Sequence, residues 1–93
     1  MQIVEINGIK YEIIKNYRNA YDENEFVNRY TDYFEPYDYV VGDISYGSLR
    51  LKGFYDCKNK KAKKINNFDY VDQYLKDNCA VDCKHFILRK VVS

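Results

Sequence analysis

At 93 residues the chain has room for one domain, and 46% hydrophobic residues supply enough apolar material for a core. A formal net charge of +1 excludes a global field that would recruit nucleic acid or membrane. No apolar run approaches the roughly 20 residues that span a bilayer. The unusual feature is 11 Tyr with no Trp. A large apolar body with a polar tip suits both a core margin and a binding surface.

The opening MQIVEINGIK has no charged leader followed by a long apolar stretch, so a cytosolic protein is expected. In that compartment the 3 Cys read as reduced thiols rather than a disulfide framework. Residues 2–6 and 9–15 flank Asn7-Gly8, and Asn-Gly between two β-rich runs predicts a hairpin because both turn positions want φ > 0. Ile9, Tyr11 and Ile13 then share a face, with Lys10 and Glu12 opposite.

Asp22 followed by Glu25 forms a capping box. Phe26, Val27, Tyr30, Tyr33 and Phe34 recur at helical spacing, which predicts a helix with one apolar stripe that ends at Pro36. Next comes YDYVVGDISYGSLRLKGFY at 37–55. It reads as two antiparallel strands turning over Gly42, Ser45 and Gly47. In the second strand Leu49, Leu51, Gly53 and Tyr55 face one way and Arg50, Lys52 and Phe54 the other, giving an apolar and a basic face. Residues 56–64 are a basic loop without periodicity. Asn66 or Asn67 caps a second helix over about 67–78, with Phe68, Val71, Leu75 and Cys79 as its seam. The last strand, about 84–92, alternates Phe86 and Leu88 with His85, Ile87 and Arg89. The predicted order is β-β-α-β-β-α-β in a single α+β domain spanning 1–93, a mostly antiparallel sheet with two helices.

Charge is segregated along this order. Asp22, Glu23, Glu25, Asp32, Glu35, Asp38 and Asp43 stand against Arg29, and Arg50, Lys52, Lys58, Lys60, Lys61, Lys63 and Lys64 stand against Asp56. The second stretch, interleaved with Phe54 and Tyr55, would suit an anionic partner, with bases tracking phosphates and rings stacking on bases. The bend 42–48 adds an acid and a phenol, Asp43 and Tyr46, to that edge. The candidate binding residues are therefore Asp43, Tyr46, Arg50, Lys52, Lys58, Lys60, Lys61, Lys63 and Lys64. A tight turn in which Asp43 or Ser45 bonds the local backbone is the plain alternative for the bend, and a solvated lysine loop the plain alternative for 58–64.

The remaining chemistry is sparse. Cys57, Cys79, Cys83 and His85 would make a Cys₃His zinc set only if distant segments converged. Cys79 on an apolar seam reads as a small hydrophobe instead, and no metal or cofactor is expected. There is no phosphate-cradling glycine loop, paired metal-binding histidine or nucleophile elbow, and Asp38 and Asp43 are poorly spaced for paired carboxylates. No enzyme is expected. Two functions fit: a binding protein for RNA or DNA, or a protein-interaction module, including self-association, that uses the tyrosines and opposite charges.

YDYVVGD at 37–43, YGSLRLKGFYD at 46–56, and a closing Cys-x-x-x-Cys followed by FILRK resemble the YutD-like family of small Firmicutes proteins. The resemblance covers most of the chain, with a departure at Ile44-Ser45, where the family pattern has Trp-Gly. It implies a small α/β domain of the bacterial cytoplasm with a loosely regulatory label. It names no reaction.

Overall fold

The computed structural model describes residues 2–78 and 83–91. Strands β1 (Gln2–Ile6), β2 (Ile9–Tyr17), β3 (Tyr39–Ser45), β4 (Ser48–Phe54) and β5 (His85–Lys90) form an antiparallel sheet in the order β1-β2-β5-β3-β4. Helices α1 (Glu23–Arg29) and α2 (Val71–Asn78) lie between them in the chain, so the predicted element order and α+β class hold. The sheet is two hairpins, β1–β2 and β3–β4, joined through β5.

Asn7 and Gly8 turn the first hairpin with φ of 52° and 79°, as the dipeptide predicts. β2 runs two residues beyond the expected arm, with a bulge between Ile13 and Lys15 that leaves Ile14 out of register. Pleating sends Val4, Tyr11, Val40, Leu49, Phe86 and Leu88 to one face, where Ala20, Phe26, Tyr30 and Phe34 cover them. Val41, Phe54 and Ile87 point to the other face, beneath Val71, Phe68, Tyr74 and Leu75. β5 buries Phe86, Ile87 and Leu88 in succession because both of its faces are covered.

The first helix is shorter than its apolar spacing suggests. Asp22 caps it through a 3.2 Å bond from the Glu25 N–H, but Tyr30 is already extended (φ −75°, ψ 135°). Thr31 then caps a separate 3₁₀ turn, Asp32–Phe34, through the Tyr33 N–H. The continuous stripe is thus broken: Val27 is 51% and Tyr33 63% exposed, while Phe26, Tyr30 and Phe34 are buried. The break lets the Tyr30 hydroxyl reach that of buried Tyr11 at 2.8 Å.

The bend also differs from expectation. β3 continues through Gly42, Asp43, Ile44 and Ser45, and the turn is Tyr46-Gly47 alone, with φ of 53° and 76°. Gly42 is a mid-strand residue on which the Phe86 ring is seated. A Cβ there would meet that ring at 2.2 Å. The second helix begins as expected, with Asn67 capping the Asp69 N–H at 2.9 Å, but its first turn is 3₁₀ (Phe68–Tyr70) before α2.

Candidate functional site: the β4 edge

Cross-strand register places Asp43 opposite Arg50 on β4 and opposite His85 on β5. Asp43 is fully buried. It therefore does not cap a local turn; it accepts from Arg50 Nη2 at 2.6 Å, Arg50 Nε at 3.2 Å and the Tyr74 hydroxyl at 3.3 Å. The same Arg50 Nη2 donates to the Asn78 carbonyl at 2.6 Å, at the end of α2. A charge-assisted fork of this kind fixes the guanidinium as well as attracting it. The bond to Asp43 also pushes the pKa of Arg50 further up. Burial, then the Asp43 charge, pushes the Tyr74 hydroxyl up.

Lys52 follows on the same face of β4. Its ammonium lies 5.3 Å from the Phe54 ring centre and 5.8 Å from that of Tyr74, within cation–π range of both. On the opposite side of β4, Tyr37 lies over Gly53 so closely that a Cβ would sit 2.4 Å from its ring. Tyr37 stacks on Tyr55 at 4.5 Å and shares a 3.1 Å hydrogen bond with the Tyr33 hydroxyl. That bond, then burial, pushes the Tyr37 hydroxyl up to about 12. Between these walls runs a cleft of about 330 Å³, with Leu51 and Gly53 inside it. Tyr33, Phe34 and Tyr37 form one side, and Arg50, Lys52 and Tyr74 the other.

The structure divides the candidate residues. Asp43, Arg50 and Lys52 come together at β4, while Tyr46 stands fully exposed at the hairpin tip. Lys58, Lys60, Lys61, Lys63 and Lys64 are exposed on the loop and 3₁₀ turn beyond the far end of β4. That loop is folded around acids and amides. Asp38 accepts from the Asp56 N–H at 2.8 Å and from Asn59 Nδ2 at 3.0 Å, Asp56 accepts from the Lys58 N–H, and Asn59 from the Lys61 N–H. Asp38 thus shapes the loop and has no part in a carboxylate pair with Asp43.

Sequence reasoning missed Tyr33, Tyr37 and Tyr74 as walls. The only signal for them was the tyrosine count, which does not say which rings converge. Cys57 is a free, exposed thiol, and Cys83 is disulfide-bonded. The latter overturns the expectation of three reduced thiols. That expectation rested on compartment, which does not decide which sulfurs the fold brings together. Among the described residues no cluster of His, Cys, Asp or Glu is suited to a metal; Cys79, one member of the zinc set, lies outside them. His85 stacks on Tyr17 at 5.0 Å, with Nδ1 3.1 Å from the Cys83 carbonyl, as a strand residue.

Residues 5–89 match the YutD-like family, described as "Putative antitoxin YutD-like". The chain belongs to the YutD-like family. The Bacillus subtilis (strain 168) protein "Putative antitoxin YutD" is 37% identical over 86 residues, covering 92% of this chain and 94% of that protein. The solution NMR structure of protein yutD from B. subtilis superposes with a TM-score of 0.83 at 35% identity, covering 98% of this chain and 83% of that one. The YutD-like resemblance read from 37–56 is therefore correct, and the fold is shared across nearly the whole length. No helix among the described residues of this YutD-like chain is long and apolar enough to cross a membrane.

Proposed function

We propose that this YutD-like chain is a non-catalytic cytoplasmic protein that docks an anionic surface of another protein at the β4 cleft. In this it would act as an antitoxin, the word that the family description uses. The observation behind this reading is the anchoring of Arg50. Its guanidinium is fixed by buried Asp43 and the Asn78 carbonyl, so the cleft keeps a pre-set cation between tyrosine walls. Arg and Tyr in pre-formed recesses are the residues that dominate protein–protein contacts.

RNA or DNA, the first of the two readings from sequence, has less support. Tyr39 is stacked on Phe68 and Tyr55 on Tyr37, so these rings are occupied and poorly placed to stack on bases beside the loop lysines.

The test is affinity capture from lysate, with and without nuclease, comparing the native chain with Lys52→Glu. Lys52 lies over the Phe54 and Tyr74 rings, and its replacement should cost no more than about 1 kcal/mol of stability. The expected result is a protein partner that survives nuclease and is lost with Lys52→Glu. Nuclease-sensitive capture of RNA or DNA alone, lost with the same substitution, would install the nucleic-acid reading instead.

A further inference from the structure

β4 is an edge strand, and the direction of its main-chain groups can be read from three places. The two-residue Tyr46-Gly47 turn makes Ser45 and Ser48 the closing pair, so Arg50 and Lys52 turn their N–H and C=O toward β3. The Ile44 N–H bonds the Lys84 carbonyl at 3.0 Å on the β5 side, which leaves Asp43 and Val41 to face β4. Tyr55 bonds outward, donating to the Asn66 carbonyl at 2.7 Å and accepting from the Phe68 N–H at 2.8 Å. By alternation Leu49, Leu51 and Gly53 also point outward.

At Tyr55 the chain fills its own edge with a parallel bridge to Asn67. At Leu51 and Gly53 no main-chain bond among the described residues fills it; Leu51 is half-buried in the cleft, and Gly53 is buried beneath the Tyr37 ring, which must swing aside for its main chain to pair. Charged side chains on an edge ordinarily deter strand pairing by reaching across it. Here they do not reach across: Arg50 is folded onto Asp43, and Lys52 onto Phe54 and Tyr74.

We infer that β4 accepts an extended acidic segment of a partner protein as a sixth strand, its main chain pairing with Leu49, Leu51 and Gly53. This rests on the protein-docking function above and supplies its mode. Strand addition of this kind draws affinity from main-chain bonds and selectivity from alternate side chains. Acids every second residue would face Arg50 and Lys52, and apolar side chains between them would face Tyr33, Phe34 and Tyr37. Basic residues continue past the strand end, because Lys63 and Lys64 closely precede Asn66, whose carbonyl accepts the Tyr55 N–H. Leu49 to Gly53 spans about 17 Å of extended chain, enough to fix a register.

The probes are three synthetic peptides of about ten residues: one alternating Glu with Val, the same peptide N-methylated at alternate residues, and a Lys-for-Glu version. Binding is read by fluorescence anisotropy and by amide exchange of the full chain. The Glu peptide is expected to bind and to slow exchange at Leu49, Leu51 and Gly53. N-methylation is expected to weaken binding by about tenfold or more, and the Lys peptide not to bind. Equal binding of the N-methylated peptide with unchanged exchange overturns strand addition, as does failure of the Glu peptide to bind. Either result, alongside nuclease-resistant capture that depends on Lys52, removes the mode and leaves the docking function standing. Equal binding of the Lys peptide overturns the acidic preference. A concentration-dependent dimer of the free chain that blocks the Glu peptide gives the edge to a second copy instead and overturns the partner assignment.

Discussion

Truncating the Asp43–Arg50 pair from its two ends leaves different residues behind. Arg50→Ala strands a fully buried carboxylate with, among the described residues, the Tyr74 hydroxyl as its remaining side-chain donor, whereas Asp43→Asn leaves a guanidinium whose side chain is 45% exposed and can hydrate. Arg50→Ala should therefore cost about 3–5 kcal/mol, and Asp43→Asn about 1–3 kcal/mol. Urea midpoints at unchanged slope would show that order. The Tyr11–Tyr30 hydroxyl pair makes a second residue-level case. Tyr11→Phe leaves the Tyr30 hydroxyl, on a residue only 6% exposed, without its partner. A loss of about 1–3 kcal/mol is expected. Replacing both tyrosines by Phe should recover much of it, and a double-mutant cycle measures the recovery. Asp43 and Arg50 were legible as neighbours at one hairpin edge, but neither the Tyr74 hydroxyl on Asp43 nor the Tyr11–Tyr30 pair was legible in advance. Asp43 meets Tyr74 and Tyr11 meets Tyr30 across sequence separations of 31 and 19, and nothing local marks such meetings.

At the scale of elements, β3 and β4 each carry a glycine under an aromatic ring, with different consequences. Phe86 over Gly42 is fully buried and hemmed by Tyr21 at 5.2 Å and Phe26 at 6.2 Å, so it has nowhere to go. Tyr37 over Gly53 is half-buried at the sheet edge and has room to swing out. Gly42→Ala should cost about 3 kcal/mol or more and Gly53→Ala about 1–2 kcal/mol. Thermal melts of the two variants test the order, and Gly53→Ala should also lose partner capture by displacing one wall of the cleft. In the sequence, Gly42 looks like a turn glycine because a seat for a ring and a position needing φ > 0 call for the same residue. The Asn7-Gly8 hairpin was legible because its signal is entirely local. The early end of α1 was not, because Tyr30 leaves the helix to meet a residue on β2.

For the whole molecule, tyrosine content becomes an alkaline limit on stability. Burial first pushes Tyr11, Tyr30, Tyr39 and Tyr74 up, and Tyr21 to about 12; a hydrogen bond to Tyr33 first pushes Tyr37 to about 12. In the unfolded chain these groups ionise near 10. Below that pH both states keep the proton and the contribution is complete. Above it the unfolded chain binds fewer protons than the folded one, so stability falls as pH rises. Urea midpoints should hold up to about pH 10 and drop between about pH 10 and 12 and beyond, and a flat profile across that window would contradict the buried hydroxyls. The α+β class and element order were legible from turn signals and periodicity. The strand order was not, although the adjacent Phe86, Ile87 and Leu88 are the mark of a strand covered on both faces, and so of one inside the sheet.

The position of β5 also bears on how the chain is made. The ribosome delivers β1–β2 and β3–β4 before it, and an isolated hairpin is marginal in water. Until β5 emerges and seats itself between them, the two hairpins share no strand. Between the completion of β4 and the arrival of β5, the inner edges of both hairpins are bare and open to stray pairing with neighbouring nascent chains. Arrival of the fifth strand closes that period of exposure in one step.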